Sequence, residues 1–211
     1  MLRSPAFLFC LGATKAGTSW LYRHLLTHPE CRFRSIKELH YFNMSRPGQF
    51  DKALRDGDAK IARLAERLGS AAAAEQRADL ARQIEDLADW RDVLARKTID
   101  VAAYRQFLLK GADDARLVGD VTPAYGLLSV ERMQGLAAVA PDTRFVYLIR
   151  DPVERLWSHV RMIAARTVGP ADFAREAETL LRRMLAGDMS GEGQGIADRG
   201  DYATVITKIK Q

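Results

Sequence analysis

The chain has 211 residues, 47% apolar and 28% charged, an ordinary globular balance with room for one sizeable core. Its formal charge of +5 at pH 7 is a faint pointer to an anionic ligand and no more. Two cysteines at unrelated spacing argue against a disulfide scaffold, and the apolar run Ala6 to Leu11 is too short for a leader or a membrane span, so a soluble, cytoplasmic protein is expected.

Ala6 to Leu11 is a continuous apolar run ended by Gly12 and reads as a buried strand, with Cys10 a buried free thiol within it. Thr18 to Thr27 carries Leu21 and Leu25 at helical spacing and is stopped by Pro29. Cys31 to Phe33 predicts a second short strand, leading into the polar-aromatic run SIKELHYF. From about Phe50 to Gly111 the character changes. Ile61, Leu64 and Leu68, then Leu80, Ile84, Leu87 and Leu94, recur at helical spacing among Ala, Arg, Glu and Asp. This predicts two long helices broken at Gly69-Ser70 and a third over Val101 to Lys110, as a coiled-coil arm or an excursion packed over one side of the domain. Strand signals return at Arg116 to Val121 and Arg144 to Ile149, with a helix over Val130 to Val139 between them. Helices follow from Arg150-Asp151-Pro152 to about Arg166 and from Asp172 to Ala186, and Met189 to Gly195 reads as a Gly-rich loop. Strands alternating with helices predict an α/β fold, a P-loop-type parallel sheet flanked by helices with a helical insertion at about 50–111, in one domain over 1–211.

Three stretches carry chemistry. Gly12 and Gly17 have the spacing of G-x-x-x-x-G-K-[ST], but Thr18 stands where a nucleoside triphosphatase carries its lysine, and Lys15 lies inside the loop. Such a strand–turn–helix gathers backbone N–H groups at the positive end of a helix and is built for an anion, while Mg²⁺-dependent triphosphate chemistry is disfavoured. Arg150 at the end of a strand offers a guanidinium fork to a phosphate, and Ser158, about two helical turns on, is spaced to converge with it. Glu38 and His40 fall on the same side of an extended segment, a carboxylate beside an imidazole suited to acid–base work. His24, His28 and His159 read as structural, and no third ligand makes a metal site.

KAGTSW, VYLIRDPVERLWSHV and KELHYF resemble three elements of bacterial and carbohydrate-type sulfotransferases, which use 3′-phosphoadenosine 5′-phosphosulfate (PAPS). The resemblance implies that Lys15, Ala16, Gly17, Thr18 and Ser19 hold the 5′-phosphosulfate, with Trp20 near the adenine, and that Arg150 and Ser158 hold the 3′-phosphate. It implies that Glu38 is the general base toward an acceptor hydroxyl or amine, that His40 supports it, and that Lys15 is the catalytic cation. GDVTPAY resembles the strand end lining the family's cleft, and RGDYATVITKI the segment before its next strand. Val121 and Asn43 stand where several glycosaminoglycan-modifying members carry a lysine and an acidic residue. A small-molecule or carbohydrate acceptor is implied, with no nucleic-acid partner; the oligomeric state stays open.

Family members usually continue through a further strand and a loop over the adenosine, so the C-terminal part of the usual domain is expected to be absent from these 211 residues. The insertion leaves after the base-bearing run and returns before GDVTPAY. It is therefore expected to pack over or beside the acceptor side of the cleft, unless its apolar stripes complete the core. Two other readings remain open: a P-loop kinase or triphosphatase, with Asp120 as its Mg²⁺ residue, and a non-catalytic helical interaction module.

Overall fold

The central strand is made by its own apolar run. In the computed structural model, which describes residues 4–169 and 171–211, Ala6–Gly12 (β1) is covered on both faces, as a parallel strand with helices on either side must be. It pairs in parallel with Leu117–Val121 (β3) and Thr143–Tyr147 (β4), and β3 pairs in parallel with Cys31–Phe33 (β2), giving the order β2-β3-β1-β4. Leu8 lies opposite Gly119, and a Cβ at Gly119 would fall 1.8 Å from the Leu8 carbonyl oxygen, so that position admits no side chain. The sheet is parallel and flanked by helices, as the alternation of strands and helices predicted.

The two faces of β1 bury different layers. Phe7, Phe9 and Leu11 pack into the main core with Tyr41, Trp90, Tyr104, Phe107 and Leu136. Cys10, on the other face, packs with Tyr22 and Leu25 of Thr18–Thr27 (α1) and with Phe33 and Val121. Cys10 and Cys31 are both free, and burial pushes the Cys10 thiol up to about 11.

The insertion is three helices: Pro47–Ser70 (α2), Ala74–Leu94 (α3) and Val101–Leu109 (α4). The break falls at 71–73, one residue beyond Gly69-Ser70, and α2 starts earlier than the apolar stripe because Pro47 opens it and Gln49 Oε1 accepts the Arg46 N–H at 3.1 Å. Its outer half makes a small cluster of its own from Leu64, Leu80 and Leu87. Its inner half, with Trp90, Val93, Leu94, Tyr104 and Phe107, completes the main core. No residue of 50–111 lines the principal cleft, so the core reading of the insertion is the one the structure follows. Asp86 and Asp89 of α3 also ion-pair with buried Arg34, and Asp86 Oδ2 accepts the Ser35 N–H at 2.6 Å, which fastens the insertion to the segment that leads to Glu38.

After β3 the chain makes a 3₁₀ turn at Pro123–Leu127, then Val130–Ala137 (α5), β4 and Pro152–Thr167 (α6). β4 ends two residues short of Ile149, yet Leu148 still donates its N–H to the Gly12 carbonyl at 2.7 Å across a bulge in β1. Phe173–Leu185 (α7) and Gly193–Asp198 (α8) pack on α6 around Val160, Ala164, Ala177, Leu180 and Ile196. The Gly-rich loop therefore turns helical at Gly193, where a Cβ would stand 3.4 Å from Met184, a close approach rather than a flexible link. Tyr202–Ile209 (α9) returns across the sheet end: Tyr202 donates its hydroxyl to the Arg150 carbonyl at 2.9 Å, and Lys208 Nζ donates to the carbonyls of Gly126 and Leu128 at 2.8 and 2.9 Å.

Candidate active site

The expected site residues follow the carboxyl ends of the strands, where open parallel sheets bind ligands, and all but Ala16 and Trp20 line one cleft of about 530 Å³. The loop after β1 places Gly17 at the N-cap of α1 with φ +100°, a conformation that favours glycine, although a Cβ there would meet nothing. Among the described residues, the N–H groups of Thr14, Lys15, Gly17, Thr18 and Ser19 have no acceptor, and no acidic side chain stands in the first turn of α1. Five unspent donors at the positive end of a ten-residue helix fit an oxyanion.

Lys15 lines the cleft and holds a left-handed backbone, φ 71°, with its carbonyl accepting from Arg150 Nη1 at 3.4 Å. That contact ties the first loop to the end of β4. Arg150 also pairs with Glu154, one turn into α6, at 2.6 Å. Ser158 lines the same cleft from α6. Thr18 and Ser19 line it from α1, whereas Ala16 donates its N–H to Ala13 at 3.0 Å, closing the turn, and does not. Trp20 lies outside the cleft, 69% exposed and stacked on His24.

Glu38 and His40 meet, but not on an extended segment. Both have left-handed backbones, φ 64° and 55°, and the residues between β2 and the 3₁₀ turn at Tyr41–Asn43 form no strand. Glu38 Oε2 lies 3.5 Å from His40 Nε2, and its other oxygen pairs with Lys37. Burial works against the charge of Glu38, but the hydrogen bonds from His40 and Lys37 outweigh it and bring its pKa down to about 2. The bond to Glu38 raises the pKa of His40 against burial, and Asn43 Oδ1, 3.3 Å from Nδ1, adds to it. With an acceptor oxygen at each ring nitrogen, the imidazolium is the form that both partners favour. Beneath this loop lies Asp120, 2% exposed, accepting from Thr122 and Tyr104 at 2.9 and 3.1 Å. Its carboxyl faces the core, so Asp120 offers no ligand to an ion in the cleft.

The cleft extends along α6 beyond Ser158, over Met162, Ile163 and Arg166, and is closed by Glu192 and Arg199. Five lysine or arginine residues (15, 37, 150, 166, 199) face two carboxylates (38, 192) there. Met162 and Arg166 follow Ser158 at steps of four, so the helical stripe carried a signal for them. Nothing local marked Glu192 or Arg199, because their place depends on α8 folding back onto α6, and His159, read as structural, both meets Arg155 and lines the cleft. No helix among the described residues is long and apolar enough to cross a membrane.

The model of the sulfotransferase family matches residues 5–194. Carbohydrate sulfotransferase 15 of Homo sapiens is 26% identical over 197 residues, and those of Mus musculus and Rattus norvegicus are each 27% identical over 198 residues. In each case 86% of this chain is covered, and the chain spans only 31% of the relative's length. No solved structure matches the chain significantly. With a family match over most of its length, and the P-loop-like strand–turn–helix in place, the chain belongs to the sulfotransferase family.

Proposed function

We propose that the protein transfers a sulfuryl group from PAPS to a hydroxyl or amine of a carbohydrate or small-molecule acceptor. The observation that carries this reading is the convergence on one cleft of residues 14–19, 37–40 and 150–158, three stretches far apart in sequence. In this reading the loop amides and Lys15 take the 5′-phosphosulfate, and Arg150 and Ser158 take the 3′-phosphate. The named carbohydrate sulfotransferases among the relatives favour a sugar acceptor.

In this reading Glu38 takes the acceptor's proton as its oxygen or nitrogen bonds to sulfur. The sulfur–oxygen bond to the phosphate breaks, and Lys15 meets the charge that grows on the departing oxygen. Glu38 with both Lys37 and His40 on it is ionised but a weak base. Movement of Lys37 onto the donor's sulfate oxygens would strengthen that base as the acceptor arrives. Thr18 in the triphosphatase lysine position and the inward-facing Asp120 both speak against the kinase reading.

The test is turnover of ³⁵S-labelled PAPS against a panel of sugars, phenols and amines, with and without EDTA. Sulfated product insensitive to EDTA is expected. A requirement for Mg²⁺, or thermal stabilisation by ATP and not by adenosine 3′,5′-bisphosphate, would overturn the reading.

A further inference from the structure

The mechanism above leaves one buried pair on α6 unused. Arg155 and His159 are each only 3% exposed, one turn apart, with Arg155 Nη1 3.2 Å from His159 Nδ1. The other Arg155 contact is Nη2 to the Ile196 carbonyl at 3.1 Å. Among the described residues Arg155 has no carboxylate partner. A buried cation without a counter-ion is costly, and the guanidinium is closely seated: a Cβ at Gly200 would stand 2.5 Å from Nη2.

The imidazole can meet Arg155 in one way. A guanidinium only donates, so Nδ1 accepts and the ring's hydrogen lies on Nε2. Nε2 has no partner among the described residues, yet His159 lines the cleft beside Ser158. We infer that Arg155 and His159 form a relay that binds a phosphate or sulfate group in the cleft: the oxyanion accepts from His159 Nε2–H, and through Nδ1 it becomes the counter-ion that Arg155 lacks. His159 is the contact residue; Arg155 positions and polarises it.

The surroundings agree. Arg155, Arg199 after α8, Lys15 on the first loop and Arg166 on α6 are the leading charges acting on the ring, all of them positive. Among the described residues Glu192 is the one carboxylate lining that end of the cleft, and α7 presents Ala177, Leu180 and Met184. Burial first, and these cations second, lower the His159 pKa to about 4, so the free site holds a neutral ring. An oxyanion reverses the local sign and raises it. The inference rests on the sulfotransferase reading only for the source of the oxyanion, the donor nucleotide or an anionic acceptor.

The experiment is ¹⁵N-histidine NMR on the whole chain, which has four histidines, with His159→Gln assigning the resonance. The free protein should show an Nε2–H tautomer at pH 7. Saturation with adenosine 3′,5′-bisphosphate should move its titration midpoint up by about one pH unit or more, which assigns the oxyanion to the donor. A shift with a sulfated monosaccharide alone assigns it to the acceptor. His159→Leu should weaken the effective ligand about tenfold or more, and His159→Gln, which keeps a donor near Nε2, by less than about threefold while abolishing the proton uptake that accompanies binding at a pH between the free and bound midpoints. An Nδ1–H tautomer, or a midpoint unmoved by both ligands and by inorganic sulfate, overturns the relay. If the bisphosphate fails to bind at all while sulfate still shifts His159, the relay stands and the sulfotransferase reading falls.

Discussion

Glu38 is caught between Lys37 and His40, and the two contacts set how the site answers to pH. A carboxylate with its pKa near 2 stays ionised through any ordinary assay, so no acid limb from Glu38 is expected in the wild-type kcat/KM above pH 4. Lys37→Met removes one of the two groups that lower it. The acid limb of kcat/KM should then move up into the measurable range, with kcat/KM falling as the pH drops through it; a profile unchanged by the substitution would remove Glu38 from the role of base. Arg150 is a second test at this scale. Its pair with Glu154 is exposed and weak, and a phosphate can displace it. Arg150→Ala should weaken adenosine 3′,5′-bisphosphate by roughly ten- to a hundredfold, the loss of one charge-assisted bond. Adenosine 5′-phosphosulfate, lacking the 3′-phosphate, should hardly change, and equal losses for both would place Arg150 elsewhere.

Among the elements, α6 couples stability to pH through His159. The unfolded chain binds a proton there below about 6.5, and the folded protein only near 4. The unfolded state therefore holds more protons across that window, and stability falls as pH drops through it. At pH 5 this loss is at most about 2 kcal/mol. His40, held charged by Glu38, acts in the opposite sense, so the readout is the difference between proteins. Urea unfolding at pH 7 and pH 5 should show a smaller decline for His159→Gln than for the wild type, and an identical decline removes the ring from the account. β1, α1, β2 and the start of α6 were legible in the sequence because each is bounded by its own signal: an unbroken apolar run, Gly12, Pro29, the Asp-Pro pair. The left-handed backbone at Glu38 and His40 was not, since alternation suggests a strand and only Thr122, Asn43 and the buried residues beneath them bend it otherwise. For Trp20 the motif implies a place near the adenine, and the helix leaves its ring exposed and stacked on His24, beside the cleft lining rather than in it.

Across the whole molecule, the insertion divides into two parts with different duties. Its inner half supplies Trp90, Val93 and Leu94 to the core and Asp86 and Asp89 to Arg34; its outer half packs mainly on itself. Replacing residues 51–98 by a Gly/Ser linker should abolish cooperative melting, because that cut opens the core and leaves Arg34 buried without a counter-ion. Shortening the hairpin by residues 61–83 should preserve a cooperative melt and leave adenosine 3′,5′-bisphosphate affinity within about threefold, under ~0.7 kcal/mol. A folded, nucleotide-binding product from the longer cut would show that the insertion is an accessory after all. Periodicity alone gave both halves the same appearance; what separates them is which apolar stripe reaches the sheet.

The contacts of α9 have a consequence for how the cleft breathes. Tyr202 grips the segment after β4 at Arg150, and Lys208 grips the 3₁₀ turn after β3, so one short helix latches two segments that both border the cleft. Amide exchange in 123–128 and 148–151 should accordingly rise as a single cooperative unit when Lys208→Met and Tyr202→Phe are combined, while α1 and its loop keep their protection. Anything that pulls on that latch from outside would be felt at Arg150 and along the cleft it lines.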